Sequence, residues 1–318
     1  MVNFSELEEL MLGLDSIYNT QEVDISTRGL QNDKYPQSTS TYGSFGELLQ
    51  GELPGINNSF LVTCPVNLCS RVTFYPNNTS NNVFVFPNDK VKVKQAINLY
   101  EKKINLKFSG ILIFSSDIPT GKGIASSTAD IISALRAISQ SLKKDISPQD
   151  IESILINIEP SDGIMYDRAV IYNHRKVSLI KKLRALPGMF ILAIDQGGEI
   201  DTVRFNSCYK EYTNDEKKCF ALLLSDLEHS ISKKDITKLG EVSTVSASIN
   251  QNRSPKLHFD FVKSLAEDIC SPGIICAHSG TMLGIILSNK NEELGRQVAF
   301  SAAEIESRGF KSQLISTV

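Results

Sequence analysis

The residues best suited to chemistry lie in one stretch, Asp117-Ile118-Pro119-Thr120-Gly121-Lys122-Gly123-Ile124-Ala125-Ser126-Ser127-Thr128-Ala129-Asp130. It follows an apolar strand-like run, Ile111–Ser115, and opens a long helical pattern. Gly121 and Gly123 can take backbone angles denied to other residues and expose their N–H groups. A helix beginning just after them adds its positive dipole end and unpaired N–H donors. Together these features make a cradle for phosphate. Lys122 adds a cation, and Ser126 or Ser127 offers a hydroxyl to Mg²⁺. A plain turn with a serine N-cap would have the same glycines, so both readings stand at this point. The stretch is not a Walker A loop, since no Gly-Lys-Ser/Thr occurs. Nor is it the dinucleotide fingerprint, whose third glycine position holds Ser126.

The elements that must position this loop follow from periodicity. Strands are expected at Phe60–Thr63, Ser70–Tyr75, Asn82–Phe86 and Leu106–Ser115, all rich in β-branched and aromatic residues. Helices are expected at Val91–Lys102, Ser126–Leu142, Pro148–Ile156 and Asp215–Ser232. Leu186-Pro187-Gly188 reads as a loop into a fresh apolar strand, Met189–Asp195, and marks a domain boundary. Strands Gly273–His278 and Met282–Ser288 and a helix Glu292–Ser307 complete the second half. Segregated strands and helices of this kind predict an α+β fold. Residues 1–40 differ in texture: Ser5 caps a short amphipathic helix to Ile17, followed by polar chain to Ser40. They read as a terminal extension, either a docked arm or a partner-binding one.

Composition sets the outer limits. With 318 residues, about two domains are expected. Lys and Arg number 33 against 36 Asp and Glu, a net charge of −3, so nothing favours nucleic acid or an anionic membrane as partner. The basic run His174–Arg184 lacks interleaved aromatics and reads as a solvated face. Apolar runs such as Met189–Ile194 are too short to span a bilayer. Six cysteines without Cys-x-x-Cys spacing, and a start lacking signal-peptide character, predict reduced thiols in a cytoplasmic protein.

The full spelling Pro-x-Gly-x-Gly-x-x-Ser-Ser-Thr-Ala resembles the phosphate loop of the GHMP kinases, the family of galactokinase, homoserine kinase and mevalonate kinase. Two further segments resemble the family's other motifs, in the same order. They are Gly43-Ser44-Phe45-Gly46-Glu47-Leu48-Leu49-Gln50-Gly51 and Ala277-His278-Ser279-Gly280-Thr281-Met282-Leu283-Gly284. The wording, with Thr63-Cys64-Pro65-Val66-Asn67-Leu68 and Glu159-Pro160-Ser161-Asp162-Gly163, is similar to the L-threonine kinases of cobalamin biosynthesis, which make O-phospho-L-threonine. Phe45 departs from that branch, which usually has Cys there, so a differently shaped substrate pocket is expected.

The resemblance implies a GHMP kinase fold: a domain like ribosomal protein S5 domain 2 at 41–186, then a ferredoxin-like domain at 187–318. It implies ATP over Pro119, Gly121, Lys122, Gly123, Ile124, Ala125, Ser126, Ser127 and Thr128, with Asn67 near the adenine. It implies Mg²⁺ held by Ser127 and Glu159, and Lys122 and Asp162 as catalytic groups, Asp162 accepting the acceptor's hydroxyl proton. Asp167 is the second candidate base. Glu47, Gln50, His278, Ser279 and Gly280 would contact a small hydroxylated amino acid. Glu47 would meet its ammonium and Arg175 or Arg204 its carboxylate. Serine and homoserine remain alternative acceptors, and a non-catalytic nucleotide-binding module of the same fold is the rival outside enzymes. A homodimer is left open.

Overall fold

A computed structural model describes residues 35–55, 59–77, 82–197, 211–277 and 280–318. The expected helix at 5–17, Arg204, Cys208, His278 and Ser279 lie outside these residues. Ten strands form one sheet: β1 (Gln37–Glu52), β2 (Ser59–Pro76), β3 (Val83–Phe86), β4 (Gly110–Ser116), β5 (Val170–Asn173), β6 (Ser178–Lys182), β7 (Met189–Asp195), β8 (Gly273–Cys276), β9 (Met282–Ser288) and β10 (Lys311–Ser316). Their order is β10-β7-β9-β8-β1-β2-β4-β3, with the β5–β6 hairpin branching from β2. All pairs are antiparallel except β3 with β4. Seven helices cover it among the described residues: α1 (Val91–Ile104), α2 (Ser126–Ser141), α3 (Pro148–Leu155), α4 (Asn214–Lys233), α5 (Ile236–Asn250), α6 (Phe259–Asp268) and α7 (Leu294–Ser307).

The two halves of the sheet meet at Glu47 of β1 opposite Cys276 of β8, and again where Val66 of β2 bridges Thr317 beyond β10. β1 bends here, its register with β2 slipping between Tyr42 and Leu49, which is how β-bulges curve a strand and re-aim its side chains. Strands β7, β8 and β9 bury both faces. Ile191, Ala193, Ile275 and Ile286 belong to the large core shared with α2 and α3, whereas Leu192, Ile194, Ile274 and Ile285 pack with Phe259, Val262 and Ile305. That explains their near-continuous apolar sequences.

Several expected boundaries change. Phe60–Thr63 and Ser70–Tyr75 are parts of one strand, because β1 pairs along nearly its whole length and Pro65 is tolerated opposite Ser44. The strand expected from Leu106 starts at Gly110. Asn105 ends α1 in a left-handed turn, and Glu101 draws the next residues into a loop by accepting the Phe108 N–H at 2.9 Å. Residues Gln37–Ser40, expected in the extension, are the start of β1. In the run His174–Arg184 the cations Lys181, Lys182 and Arg184 face solvent, but His174 is buried. Burial, then the neighbouring Arg175 charge, pushes its imidazole down to about 4.

Candidate active site

The loop before α2 takes the strained path its glycines allow. Gly121, Gly123 and Ala125 all have positive φ, at 73°, 78° and 64°. Ala125 is the N-cap and no side chain caps the helix, which settles the serine N-cap reading against itself. The first-turn N–H donors of α2 are left without a side-chain partner, the arrangement that suits an anion. Ile124 is buried and anchors the loop against β1, its carbonyl lying where a Cβ on Gly43 would be, 2.8 Å away. Pro119 and Thr120 are exposed.

Two other glycine-bearing segments converge on this loop. A Cβ on Gly123 would stand 2.6 Å from Gly280 Cα and 2.9 Å from the Ala277 methyl. A Cβ on Gly280 would overlap the Lys122 carbonyl. Gly46 (φ 53°) in turn packs on the backbone of Cys276 and Ala277. Such approaches leave no room for any side chain.

Glu159 lies beside the first turn of α2. Ser127 Oγ donates to Glu159 Oε1 at 2.7 Å, and Lys92 at the start of α1 ion-pairs with the other Glu159 oxygen. Thr128 and Ser161 hydroxyls are 3.3 Å apart, and the Ser161 N–H donates to His174 O at 3.1 Å. The helix expected over Pro148–Ile156 ends at Leu155, and the turn after it carries Glu159 inward, its side chain 7% exposed. Asp162 is half-buried. Desolvation by the surrounding protein, with the Glu159 charge adding to it, pushes its carboxyl up to about 6.

Lys122 reaches across to the end of β7, where its Nζ lies 3.0 and 2.9 Å from the two Asp195 oxygens. Asp195 also accepts the Gly197 N–H at 2.9 Å and the Thr281 hydroxyl at 3.2 Å. Partial burial raises the Asp195 carboxyl, but these hydrogen bonds and the Lys122 charge outweigh it and hold the group below its usual range. Glu47 is buried between Thr63 and Cys276. Gln50 is buried too, and its backbone is bound to α5 through Ser246 and Asn250 at 3.1 Å each.

Other expected residues stand apart. Asn67 is exposed and its Oδ1 accepts the Ser316 N–H at 3.1 Å, which ties β2 to β10. Arg175 is exposed at the tip of the β5–β6 hairpin. Asp167 is 86% exposed and paired with Arg136, and Asp130 is bound by Ser70 and Lys90. Sequence reasoning did not find Lys92, Asp195, Thr281 or Lys256. Asp195 carried one signal, its place at the end of the strand opening the second half. The others became visible only through their partners.

No group of three or more His, Cys, Asp or Glu among the described residues could hold a metal alone. An oxygen-only pair such as Ser127 and Glu159 fits the manner in which Mg²⁺ binds, by one or two protein oxygens plus substrate phosphates. Cys64, Cys69, Cys219, Cys270 and Cys276 are free thiols, and no helix is long and apolar enough to cross a membrane among the described residues.

Residues 92–172 match the family profile of the GHMP kinases N terminal domain. The mevalonate kinase of Methanococcus jannaschii superposes with a TM-score of 0.71 at 14% identity, over 92% of this chain and 100% of that one. The homoserine kinase of Cytophaga hutchinsonii gives 0.70 at 13% identity, over 93% of this chain and 97% of that one. The molecule therefore has the fold of the GHMP kinases, and the profile match covers residues 92–172 of it. Among characterised relatives, the L-threonine kinase of Citrobacter freundii is 26% identical over 257 residues, 79% of this chain and 86% of that protein. The L-threonine kinase of Salmonella typhimurium is 26% identical over 259 residues, 80% of this chain and 83% of that protein.

Proposed function

We propose that this chain is an ATP-dependent phosphotransferase acting on the side-chain hydroxyl of an amino acid, L-threonine first among the acceptors, with O-phospho-L-threonine as product. The observation that carries the reading is the contact between Ser127, in the first turn of an uncapped helix, and Glu159, three residues before the desolvated carboxyl of Asp162. Residues 41–186 would hold the nucleotide, and 187–318 would close over it through Gly280 and Asp195. The similarity to two L-threonine kinases supports the choice of acceptor.

Phosphoryl transfer asks a protein mainly for positioning and charge neutralisation. The loop Gly121–Ala125 and the α2 N-terminus would bind the phosphates through backbone N–H groups. Ser127 and Glu159 would hold Mg²⁺, which neutralises phosphate charge when bound. Asp195 orients the Lys122 ammonium at the edge of the loop. Asp162 would accept the proton of the attacking hydroxyl, and a carboxyl raised to about 6 is a better base near neutrality than an ordinary one. Glu47 would meet the acceptor's ammonium.

The test is phosphate transfer from ATP across L-threonine, L-serine, L-homoserine and small alcohols without an amino group, read by mass spectrometry. Phosphothreonine as the leading product is the expected result. Turnover of serine but not threonine would overturn the acceptor, and transfer to no amino acid would overturn the reading.

A further inference from the structure

Lys256, in the turn that follows α5, is the one buried lysine or arginine among the described residues, with 7% of its surface exposed. Its backbone N–H donates to Gln251 Oε1 at 2.7 Å, so the residue is fixed at its base. Its ammonium donates to Ser254 Oγ at 3.0 Å and to Gly280 O at 2.6 Å. Gly280 is the residue that packs on Gly123 of the phosphate loop, so the ammonium lies just behind the meeting point of the motifs. Burial pulls Lys256 below its ordinary value, while the charge of Glu47 acts against that.

A buried ammonium with no carboxylate in direct contact among the described residues is costly to maintain. Holding the Gly280 carbonyl alone does not account for it, since a neutral amide could donate the same bond without a desolvated charge. An ammonium has three donors, and two are used here. Glu47 stands opposite Cys276, at the base of the turn that carries Gly280, and a carboxylate there disfavours a polyanion such as a phosphate chain. Opposite charges set side by side suit a zwitterion.

We propose that Lys256 binds the carboxylate of the acceptor amino acid through its third N–H, beside Glu47. The assignment rests on the amino-acid kinase reading above and gives the acceptor a carboxylate partner. Arg175, the cation expected from sequence for this role, is exposed at a hairpin tip.

The experiment compares L-threonine with L-threoninol, which keeps the hydroxyl and ammonium but lacks the carboxylate, in wild type, Lys256→Met and Lys256→Arg. ATP affinity is measured alongside by calorimetry. In Lys256→Met the ratio of kcat/KM for threonine over threoninol should fall by about 100-fold, the scale of one lost charge-assisted hydrogen bond. Lys256→Arg should recover part of that ratio, and ATP affinity should hold in both. An unchanged ratio with both acceptors weakened equally, or a loss of ATP affinity, would make Lys256 a pin for the Gly280 turn and overturn the assignment while leaving the kinase reading intact. A wild type that transfers phosphate to no amino acid would overturn that reading and the assignment with it.

Discussion

Asp162 shows how a single residue's environment sets its use. Its ionised form is disfavoured in the folded protein by desolvation and by Glu159, so at neutral pH the carboxylate is held at a cost to stability. Asp162→Asn should therefore raise the melting temperature while lowering kcat by about 100-fold, the usual contribution of a general base at the low end of its range. ATP affinity should stay near wild type. Near-normal turnover would remove Asp162 from the role of base. The same carboxyl must lose its proton to act, so wild-type kcat/KM should rise as pH increases through about 6. That rise should be absent from the residual activity of Asp162→Asn. At this scale motif wording singled out Ser127 and Glu159, which the structure brings into contact. The sequence was silent for Lys256, because nothing local distinguishes a buried lysine from a solvated one.

Among the elements, the decisive one is the left-handed loop that feeds α2. Its positive-φ glycines are needed for the turn itself, and Gly123 also because Gly280 lies against it. Gly280→Ala would drive a methyl into the Lys122 carbonyl. Overpacking of this kind destabilises by about 1–3 kcal/mol, and here the strain falls on the phosphate loop. The expected outcome is a loss of ATP affinity of at least about 10-fold by calorimetry, with secondary structure by circular dichroism retained. Normal ATP binding would show that the third motif does not support the loop. Helices α1 to α4 were readable from apolar spacing, and the structure adds the caps that fix two of their starts, Ser147 before α3 and the Thr213–Glu216 capping box before α4. β1 was not, because its first residues are polar and its central residues carry a glycine-rich motif that reads as loop. Pairing with β2 along one edge made it a strand.

Across the whole molecule, the three glycine-bearing motifs come together because two half-sheets join at Glu47 and Cys276 and at Val66 and Thr317. Phe45 is part of that joint. Its ring is fully buried and lies where a Cβ on Gly284 of β9 would be, 2.8 Å away. The large residue at 45 is thus accommodated by a missing side chain at 284, inside the core. The expectation of a reshaped substrate pocket is replaced by one about stability. Phe45→Cys should destabilise the fold by about 3 kcal/mol through the cavity it leaves, read from the denaturant midpoint, with the order of acceptor preference kept. A change of preference without loss of stability would return Phe45 to the pocket.

The sequence by itself determined the class of fold, the glycine loop that opens α2 and the pairing of Ser127 with Glu159. The fold class and the loop depend on short-range requirements: backbone angles, helix ends and spacing along one element. Only the tertiary structure decided that Lys122 meets Asp195, that Gly280 packs on Gly123, and that Lys256 is buried beside Glu47. Each of these joins residues far apart in the chain, and burial and Coulomb interactions depend on distance in space, which no local pattern records.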